Sequence, residues 1–225
     1  MKTTTTGKKS RNNAATGPWQ PSIGQIFIGI AVLIGIGLLY TVYSVSADAK
    51  KDAADTGASG YEYAVGDPGI GQKAPGFTLP GTNGDDVSLA DYEGENVLLY
   101  FHEGGGCQPC WDQIADIEKE WDKFSDSGID RFLAVTTDPI DIHTRKMADD
   151  ELDSTGVSDP DLAVSERYDT NSYGMMRGTT NGHSFILVDG EGTITWRADY
   201  GGEPDYTMYV PVDGILADLA SSRGE

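Results

Sequence analysis

The chain has few of the residues that build metal sites and nucleic-acid-binding surfaces. Its 225 residues include only two cysteines and three histidines, and 16 basic residues stand against 36 acidic ones. A closed structural zinc site takes four ligands, usually two cysteine pairs or one pair with paired histidines. Four of the basic residues precede Asp48, the first acidic residue, so the remainder has a net charge of −24. This acidity argues against binding to nucleic acid, which favours a basic surface.

The two cysteines form a single Cys-x-x-Cys motif, Cys107 to Cys110. An apolar run and three glycines precede it, and apolar residues then recur at steps of four and three. The pattern predicts a strand, a turn and a helix with Cys107 at its N-terminus, where backbone N–H groups and the helix dipole favour a thiolate. A thiolate is the nucleophile of disulfide exchange and peroxide reduction. The motif favours a redox pair over a structural disulfide, which would close a very small loop, and over half a zinc site.

A second feature is an uncharged run of 20 residues, Ile26 to Val45. As a helix it would rise about 30 Å, enough to cross the hydrocarbon core of a bilayer. The basic residues that precede Asp48 all lie on its N-terminal side. The positive-inside rule therefore predicts a single-pass cell-membrane protein with a cytoplasmic N-terminus and an exported domain. The alternative is a signal peptide cleaved near Ala47, although the apolar run is longer than usual for one.

These observations divide the chain into four predicted parts. Residues 1–22 form a disordered cytoplasmic tail, 23–46 the transmembrane anchor, 47–65 a flexible linker and 66–225 a folded domain. Strands and helices alternate in the domain, which predicts an α/β fold. Strands are predicted at 77–79, 86–89, 97–102, 131–136, 184–188 and 193–197, and helices at 111–127, 140–152, 162–168 and 212–221.

Several short motifs resemble those of a known family. They are Gly71-Gln72-Lys73-Ala74-Pro75-Gly76-Phe77-Thr78-Leu79, Ser158-Asp159-Pro160-Asp161-Leu162-Ala163-Val164, Tyr173-Gly174-Met175 and Phe185-Ile186-Leu187-Val188-Asp189. In order and spacing they resemble the alkyl hydroperoxide reductase/thiol-specific antioxidant (AhpC/TSA, redoxin) family. The resemblance covers residues 66–221. It implies a thioredoxin fold, a central mixed sheet flanked by helices, with the N-terminal extension of that family.

The resemblance implies two readings of the cysteine pair. Peroxiredoxins of this family carry a threonine three residues before the peroxidatic cysteine and a proline four residues before the threonine. Here Cys110 takes the peroxidatic position, while Cys107 and Glu103 replace the threonine and the proline. Thioredoxin-like disulfide reductases carry Cys-x-x-Cys at this point, and both cysteines match. Their pattern implies that Cys107 is the nucleophile and Cys110 the resolving thiol.

His183 is the third predicted site residue. It occupies the position at which thioredoxin-like proteins carry a cis-proline and peroxiredoxins an arginine. We predict that it faces the Cys107 sulfur and helps to set the thiol pKa, because an imidazole can stabilise a thiolate or accept its proton. Arg177 and His102 are weaker candidates. Asp138 follows a strand at the same edge, where we expect it to cap a loop.

The sequence therefore predicts a membrane-anchored, extracytoplasmic thiol–disulfide oxidoreductase that needs no cofactor. Its partners would be protein dithiols or disulfides, or a peroxide, with an electron donor on the membrane side. One alternative is a peroxiredoxin-type peroxidase with Cys110 as the peroxidatic cysteine. Another is a thioredoxin-fold copper chaperone, because Cys107, Cys110 and His183 offer donors that suit copper.

Overall fold

The structure, a computed structural model, describes residues 55–224. The strands are β1 (Asp55–Thr56), β2 (Glu62–Tyr63), β3 (Thr78–Pro80), β4 (Asp86–Ser88), β5 (Val97–His102), β6 (Arg131–Thr136), β7 (Thr155–Ser158), β8 (Ser184–Val188) and β9 (Ile194–Asp199). The helices are α1 (Gln108–Lys119), α2 (Trp121–Asp126), α3 (Ile140–Asp149), α4 (Ala163–Arg167) and α5 (Val212–Arg223). Short 3₁₀ turns cover Leu89–Tyr92 and Thr170–Ser172.

Five strands form a mixed central sheet in the order β7-β6-β5-β8-β9. Strands β5, β6 and β7 run parallel, and β8 is antiparallel to both β5 and β9. All six residues of β5 are buried, as expected for a central strand covered on both faces. Tyr100 stands opposite Phe185, and Phe101 stands opposite Ser184. The α/β fold with a mixed sheet is therefore confirmed.

Side chains alternate along the central strands and build a separate core on each face. One core contains Leu98 and Tyr100 of β5 together with residues of α1, α2 and α5. The other contains Leu99 and Phe101 together with residues of β3, β4 and α4. Both cysteines belong to the first core. The cysteine pair therefore lies on the face of the sheet that Tyr100 also faces.

Two elements differ from the sequence prediction. The predicted helix over 111–127 begins earlier, at Gln108, and is interrupted at Glu120 between α1 and α2. Its apolar periodicity continues through the interruption, because Ile117 and Phe124 are both buried. Strand β7 was not predicted, since Thr155–Ser158 contains only one bulky apolar residue. It forms because its backbone pairs with β6.

The folded part begins within the segment predicted as a linker over 47–65. Strands β1 and β2 pair with each other, Tyr63 is buried in the first core, and Ala64 pairs with Asp199 of β9. The polar composition of this segment predicted a linker, but backbone pairing and the burial of Tyr63 make its last part belong to the folded domain. The predicted anchor over 23–46 lies outside the described residues. Within residues 55–224, no helix has the length and apolar character needed to cross a bilayer.

Candidate active site

A glycine turn connects β5 to the cysteine pair. Gly104 has φ +85°, and a Cβ there would lie 2.3 Å from Oδ2 of Asp138 and 2.5 Å from Oγ1 of Thr136. Only glycine fits this conformation and this space. The N–H of Gly105 donates to Oδ2 of Asp138 at 2.5 Å, which confirms the loop-capping role expected for that aspartate. The turn is therefore held against the end of β6.

The two cysteines are joined by a disulfide at the start of α1. Cys107 is the N-cap residue, and Cys110 lies in the first helical turn behind Pro109. The Cys107 side chain is 6% exposed, whereas that of Cys110 is fully buried. Because the helix N-terminus stabilises negative charge, a reduced sulfur at this place is favoured as a thiolate. The pair predicted from the motif is thus present, and Cys107 is the slightly more exposed of the two buried cysteines.

His183 is buried directly before β8, and its ring lies beside Tyr100. The Tyr100 hydroxyl and Nδ1 of His183 are 2.8 Å apart, within hydrogen-bonding distance. Burial lowers the pKa of His183 to about 3 and raises the pKa of Tyr100 well above its usual range. Both side chains are therefore neutral near pH 7, so His183 carries no positive charge for a thiolate. Its contact with the Cys107 sulfur stays a prediction.

A second buried histidine stands at the end of β5. Nδ1 of His102 accepts a hydrogen bond from the Gly104 N–H at 3.3 Å, and its ring centroid lies 5.1 Å from that of Trp111. Trp111 in turn donates through Nε1 to the Gly104 carbonyl oxygen at 3.0 Å. Burial lowers the pKa of His102 well below its usual range, and electrostatic interaction with the nearby imidazoles of His143 and His183 disfavours its protonation further.

The fold brings together histidines that are distant in the sequence. The ring centroids of His102 and His143 are 5.8 Å apart, and Tyr100 stacks on His102 at 5.2 Å. The sequence interpretation missed Tyr100 and Trp111 as neighbours of the site. One signal for Tyr100 was its hydroxyl within an otherwise apolar strand, since a buried hydroxyl needs a hydrogen-bond partner.

Two charged side chains near this end of the fold have different roles. Arg177, a candidate for a missing cation, forms an ion pair with Glu203 at 2.9 Å on the surface. Glu103, in the turn after β5, is partly buried, and this burial raises its pKa. A Cβ on Gly174 would lie 3.0 Å from Oε1 of Glu103, so the loop that begins at Gly174 passes close to the turn.

The copper-carrier alternative requires Cys107, Cys110 and His183 as one ligand set. Among residues 55–224, no group of three or more His, Cys, Asp and Glu side chains is arranged to hold a metal ion. Both cysteines are also engaged in the disulfide. The oxidised site therefore does not support that alternative.

Similarity to known proteins agrees with this site. The AhpC/TSA family matches residues 70–197. A putative peroxiredoxin bcp of Coxiella burnetii is 32% identical over 156 residues, which cover 67% of this chain and 95% of that protein. The thiol-disulfide oxidoreductase ResA of Bacillus subtilis is 26% identical over 172 residues, which cover 76% of this chain and 82% of that protein.

Solved structures support the fold. The peroxidoxin BcpB of Mycobacterium tuberculosis aligns with a TM-score of 0.56 at 14% identity, over 69% of this chain and 96% of that one. A reduced 2-Cys peroxiredoxin of Plasmodium vivax aligns with a TM-score of 0.57 at 20% identity, over 69% of this chain and 82% of that one. The fold is thus the thioredoxin-like fold that the resemblance implied. Because the family match spans more than half of the sequence and includes the disulfide, the chain belongs to the AhpC/TSA family of thiol-dependent oxidoreductases.

Proposed function

We propose that this protein is a membrane-anchored thiol–disulfide oxidoreductase whose Cys107–Cys110 dithiol reduces disulfides in other proteins outside the cytoplasm. The observation that carries the proposal is the disulfide between the two cysteines at the N-terminus of α1. A pair that closes on itself stores two electrons as a dithiol and releases them as it forms the bond. The thiol-disulfide oxidoreductase ResA of Bacillus subtilis, 26% identical to this chain, supports the same activity.

The two cysteines have different roles in the proposed reaction. The Cys107 thiolate attacks a substrate disulfide, and one substrate sulfur leaves as a thiolate that takes up a proton. Cys110 then loses its proton and attacks the Cys107 sulfur of the mixed disulfide. The second substrate sulfur is released, and the Cys107–Cys110 bond forms. Attack by Cys107 is supported by its N-cap position on α1 and by its small residual exposure of 6%, since Cys110 is fully buried.

Trapping the mixed disulfide tests this assignment. Cys110→Ser removes the resolving thiol, so we expect the reduced variant to form a stable mixed disulfide through Cys107 with a protein that has an intact disulfide, such as insulin, as the probe. Cys107→Ser removes the attacking thiol and should trap none. Non-reducing electrophoresis and peptide mass spectrometry identify the linked cysteine. A trapped adduct through Cys110 in the Cys107→Ser variant would contradict the assignment.

A peroxidase is the second candidate, and the similarity to a putative peroxiredoxin of Coxiella burnetii favours it. In that case the Cys110 thiolate attacks hydrogen peroxide, becomes a sulfenic acid and releases water. Cys107 then attacks the sulfenic acid, a second water leaves, and the disulfide forms. The reduced protein should be offered hydrogen peroxide and insulin disulfide in parallel. If Cys107→Ser keeps its peroxide activity and forms a sulfenic acid on Cys110, the peroxidase assignment replaces the first one.

The cellular location rests on the sequence of the N-terminal part. The uncharged run from Ile26 to Val45, with basic residues before it, supports an anchor that keeps the N-terminus cytoplasmic. Reduction outside the cytoplasm would then need electrons from a donor at the membrane. Protease added to intact spheroplasts should remove the domain and spare the N-terminal stub. Full-length protein that resists digestion, or a mature N-terminus near Asp48, would overturn the location.

A further inference from the structure

Two histidines in contact with Tyr100 each have one buried ring nitrogen without a partner among residues 55–224, and both ring nitrogens of His143 lack one as well. Nε2 of His102 and Nε2 of His183 have no hydrogen-bond partner among residues 55–224, and both side chains are completely buried. Buried polar atoms are nearly always bonded, because an unsatisfied donor or acceptor has lost its contact with water. Two such atoms at one end of a sheet therefore require an explanation.

The hydrogen bonds at Nδ1 identify these nitrogens as donors. Nδ1 of His102 accepts from the Gly104 N–H, so the single proton of the neutral ring resides on Nε2. At His183, Nδ1 is bonded to the Tyr100 hydroxyl. If the ring donated to Tyr100, both the hydroxyl proton and the Nε2 lone pair would be unsatisfied. With the hydroxyl as donor only Nε2–H remains, so both rings present an N–H group.

Both rings lie on the face of the sheet that the cysteines cover. His102 lies two residues after Tyr100, and His183 lies two residues before Phe185. Residues two apart along an extended strand point to the same face of the sheet. Tyr100, Phe185, Cys107 and Cys110 belong to one core. The ring of His102 also contacts Trp111, the residue that directly follows Cys110. The two N–H groups therefore share a dry environment with the disulfide.

Reduction of the disulfide creates a hydrogen-bond acceptor, a cysteine thiolate, in this buried environment. A donor thiolate attacks the Cys107 sulfur, the bond between the two sulfurs breaks, and its electron pair leaves with Cys110 as a thiolate. A second thiol of the donor, once deprotonated, attacks the mixed disulfide; the Cys107 thiolate leaves, and the donor dithiol becomes a disulfide. Because Cys110 is fully buried, no bulk water is at hand to solvate the first thiolate.

We propose that His102 and His183 bind this leaving thiolate, each donating its Nε2–H to the sulfur of Cys110. The donors are unsatisfied in the oxidised protein and become satisfied on reduction, so they favour the reduced form and lower the thiol pKa. The two sulfurs are bonded in the oxidised protein, so donors near one lie near both. The proposal rests on the dithiol function proposed above, and it adds that neutral imidazoles, rather than a cation, stabilise the thiolate.

Other ionisable groups surround His102 and His183, and a test must leave these groups unchanged. Tyr100 faces His183 from β5, His143 faces His102 from α3, and Glu103 lies in the turn. His143 serves as the matched control. It is also a buried histidine, but its ring lies against Gly156 of the outer strand β7, where a Cβ would come within 2.5 Å of Nε2.

The experiment measures the pH profile of thiol alkylation in the full-length reduced protein, with Cys107→Ser added for the alkylation assay alone so that the profile reports the Cys110 thiol. We expect His102→Phe and His183→Phe each to raise the thiol pKa by about one unit, which slows alkylation about tenfold near neutral pH. His102→Gln and His183→Gln keep an N–H donor and should recover part of the rate. His143→Phe should leave the profile unchanged. Equilibration with dithiothreitol, at a pH where the thiolate is populated, should show about a tenfold loss of the reduced form in the Phe variants, about 30 mV.

Three results would overturn the proposal. The first is that the thiol pKa in both His102→Phe and His183→Phe equals that of the wild-type protein. The second is equal impairment in the Gln and Phe variants, which would make the rings packing elements only. The third is an equal shift in His143→Phe. Alkylation and redox equilibration do not depend on the substrate, so they remain informative if the protein fails to reduce insulin.

Discussion

Two groups of buried polar side chains lie in this domain, and they differ in how their polar atoms are bonded. In the first group, Arg197 donates twice to Asp199 and once to the Pro68 carbonyl oxygen, and Asp218 accepts from Ser59 and Tyr200. In the second group, His102 and His183 each have a buried Nε2 without a partner within the described chain.

The difference indicates what each group contributes. The bonded group joins the segment at Ser59 and Pro68 to β9 and α5, so its hydrogen bonds stabilise the folded state in either redox form. The unsatisfied group lowers the stability of the oxidised form and offers donors to a species that exists only after reduction. Three predictions test whether the two groups are separate in this way.

The largest effect is expected from Asp199→Asn. It removes the charge that compensates the buried Arg197 guanidinium, and breaking a buried ion pair costs about 3–5 kcal/mol of unfolding free energy. Urea unfolding of the oxidised protein, followed by tryptophan fluorescence, measures this loss. The control is Glu95→Gln at the more exposed pair with Arg131, where we expect less than about 1 kcal/mol. The thiol pKa should not change, and a shift would show that the two groups are coupled.

The second prediction concerns acid, which should act on the buried histidines His143 and His183. Burial lowers the pKa of His143 to about 4 and of His183 to about 3, below the usual histidine value of about 6.5. Between these values the unfolded chain binds more protons, so the stability is complete above about pH 6.5 and falls as the pH decreases toward 4. Each histidine contributes a slope of about 1.4 kcal/mol per pH unit.

Urea titrations at pH 7, 6 and 5 measure this slope. His183→Phe and His143→Phe should each flatten it, whereas the carboxylates are the same in the variant and the wild type. Slopes identical to the wild type in both variants would mean that the two rings can be protonated without unfolding.

The smallest effect is expected from a matched pair of tyrosine variants. Tyr200→Phe removes a hydroxyl that bonds to Asp218 at 2.6 Å, and should cost about 1 kcal/mol of stability without changing the thiol pKa. Tyr100→Phe removes the hydroxyl that fixes the His183 tautomer, and should raise the thiol pKa, but by less than His183→Phe does. Alkylation profiles and urea unfolding of both variants provide the comparison. A thiol shift in Tyr200→Phe that equals the one in Tyr100→Phe would contradict the separation.

Much of the fold could be predicted because its central strands are continuous apolar runs bounded by turns. The ends of β5, β6 and β8 agree with the sequence prediction. Strand β7 could not be predicted, because pairing with β6, rather than its own composition, makes it a strand. The interruption at Glu120 was likewise hidden, since the apolar periodicity of α1 continues into α2.

Some features of the candidate site could likewise be predicted from the sequence, and others could not. The Cys-x-x-Cys spacing and the helix that follows were sufficient to predict the cysteine pair, and the family motifs pointed to His183, whose role at the pair stays a prediction. The environments of the histidines were not predictable. Whether a ring is solvated or buried, and which atom bonds to its Nδ1, depends on residues far apart in the sequence, as the contact between Tyr100 and His183 shows.

The sequence by itself determined the chemistry of this protein: one cysteine pair at a helix N-terminus, an acidic domain and an α/β order of elements. These are local properties, set by spacing and composition. Only the tertiary structure decided that both cysteines are buried, that three histidines distant in the sequence pack against Tyr100 and Trp111, and that burial lowers their pKa values. The physical reason is that burial and hydrogen bonding are set by contacts between β5, β8 and α1, and no local pattern contains those contacts.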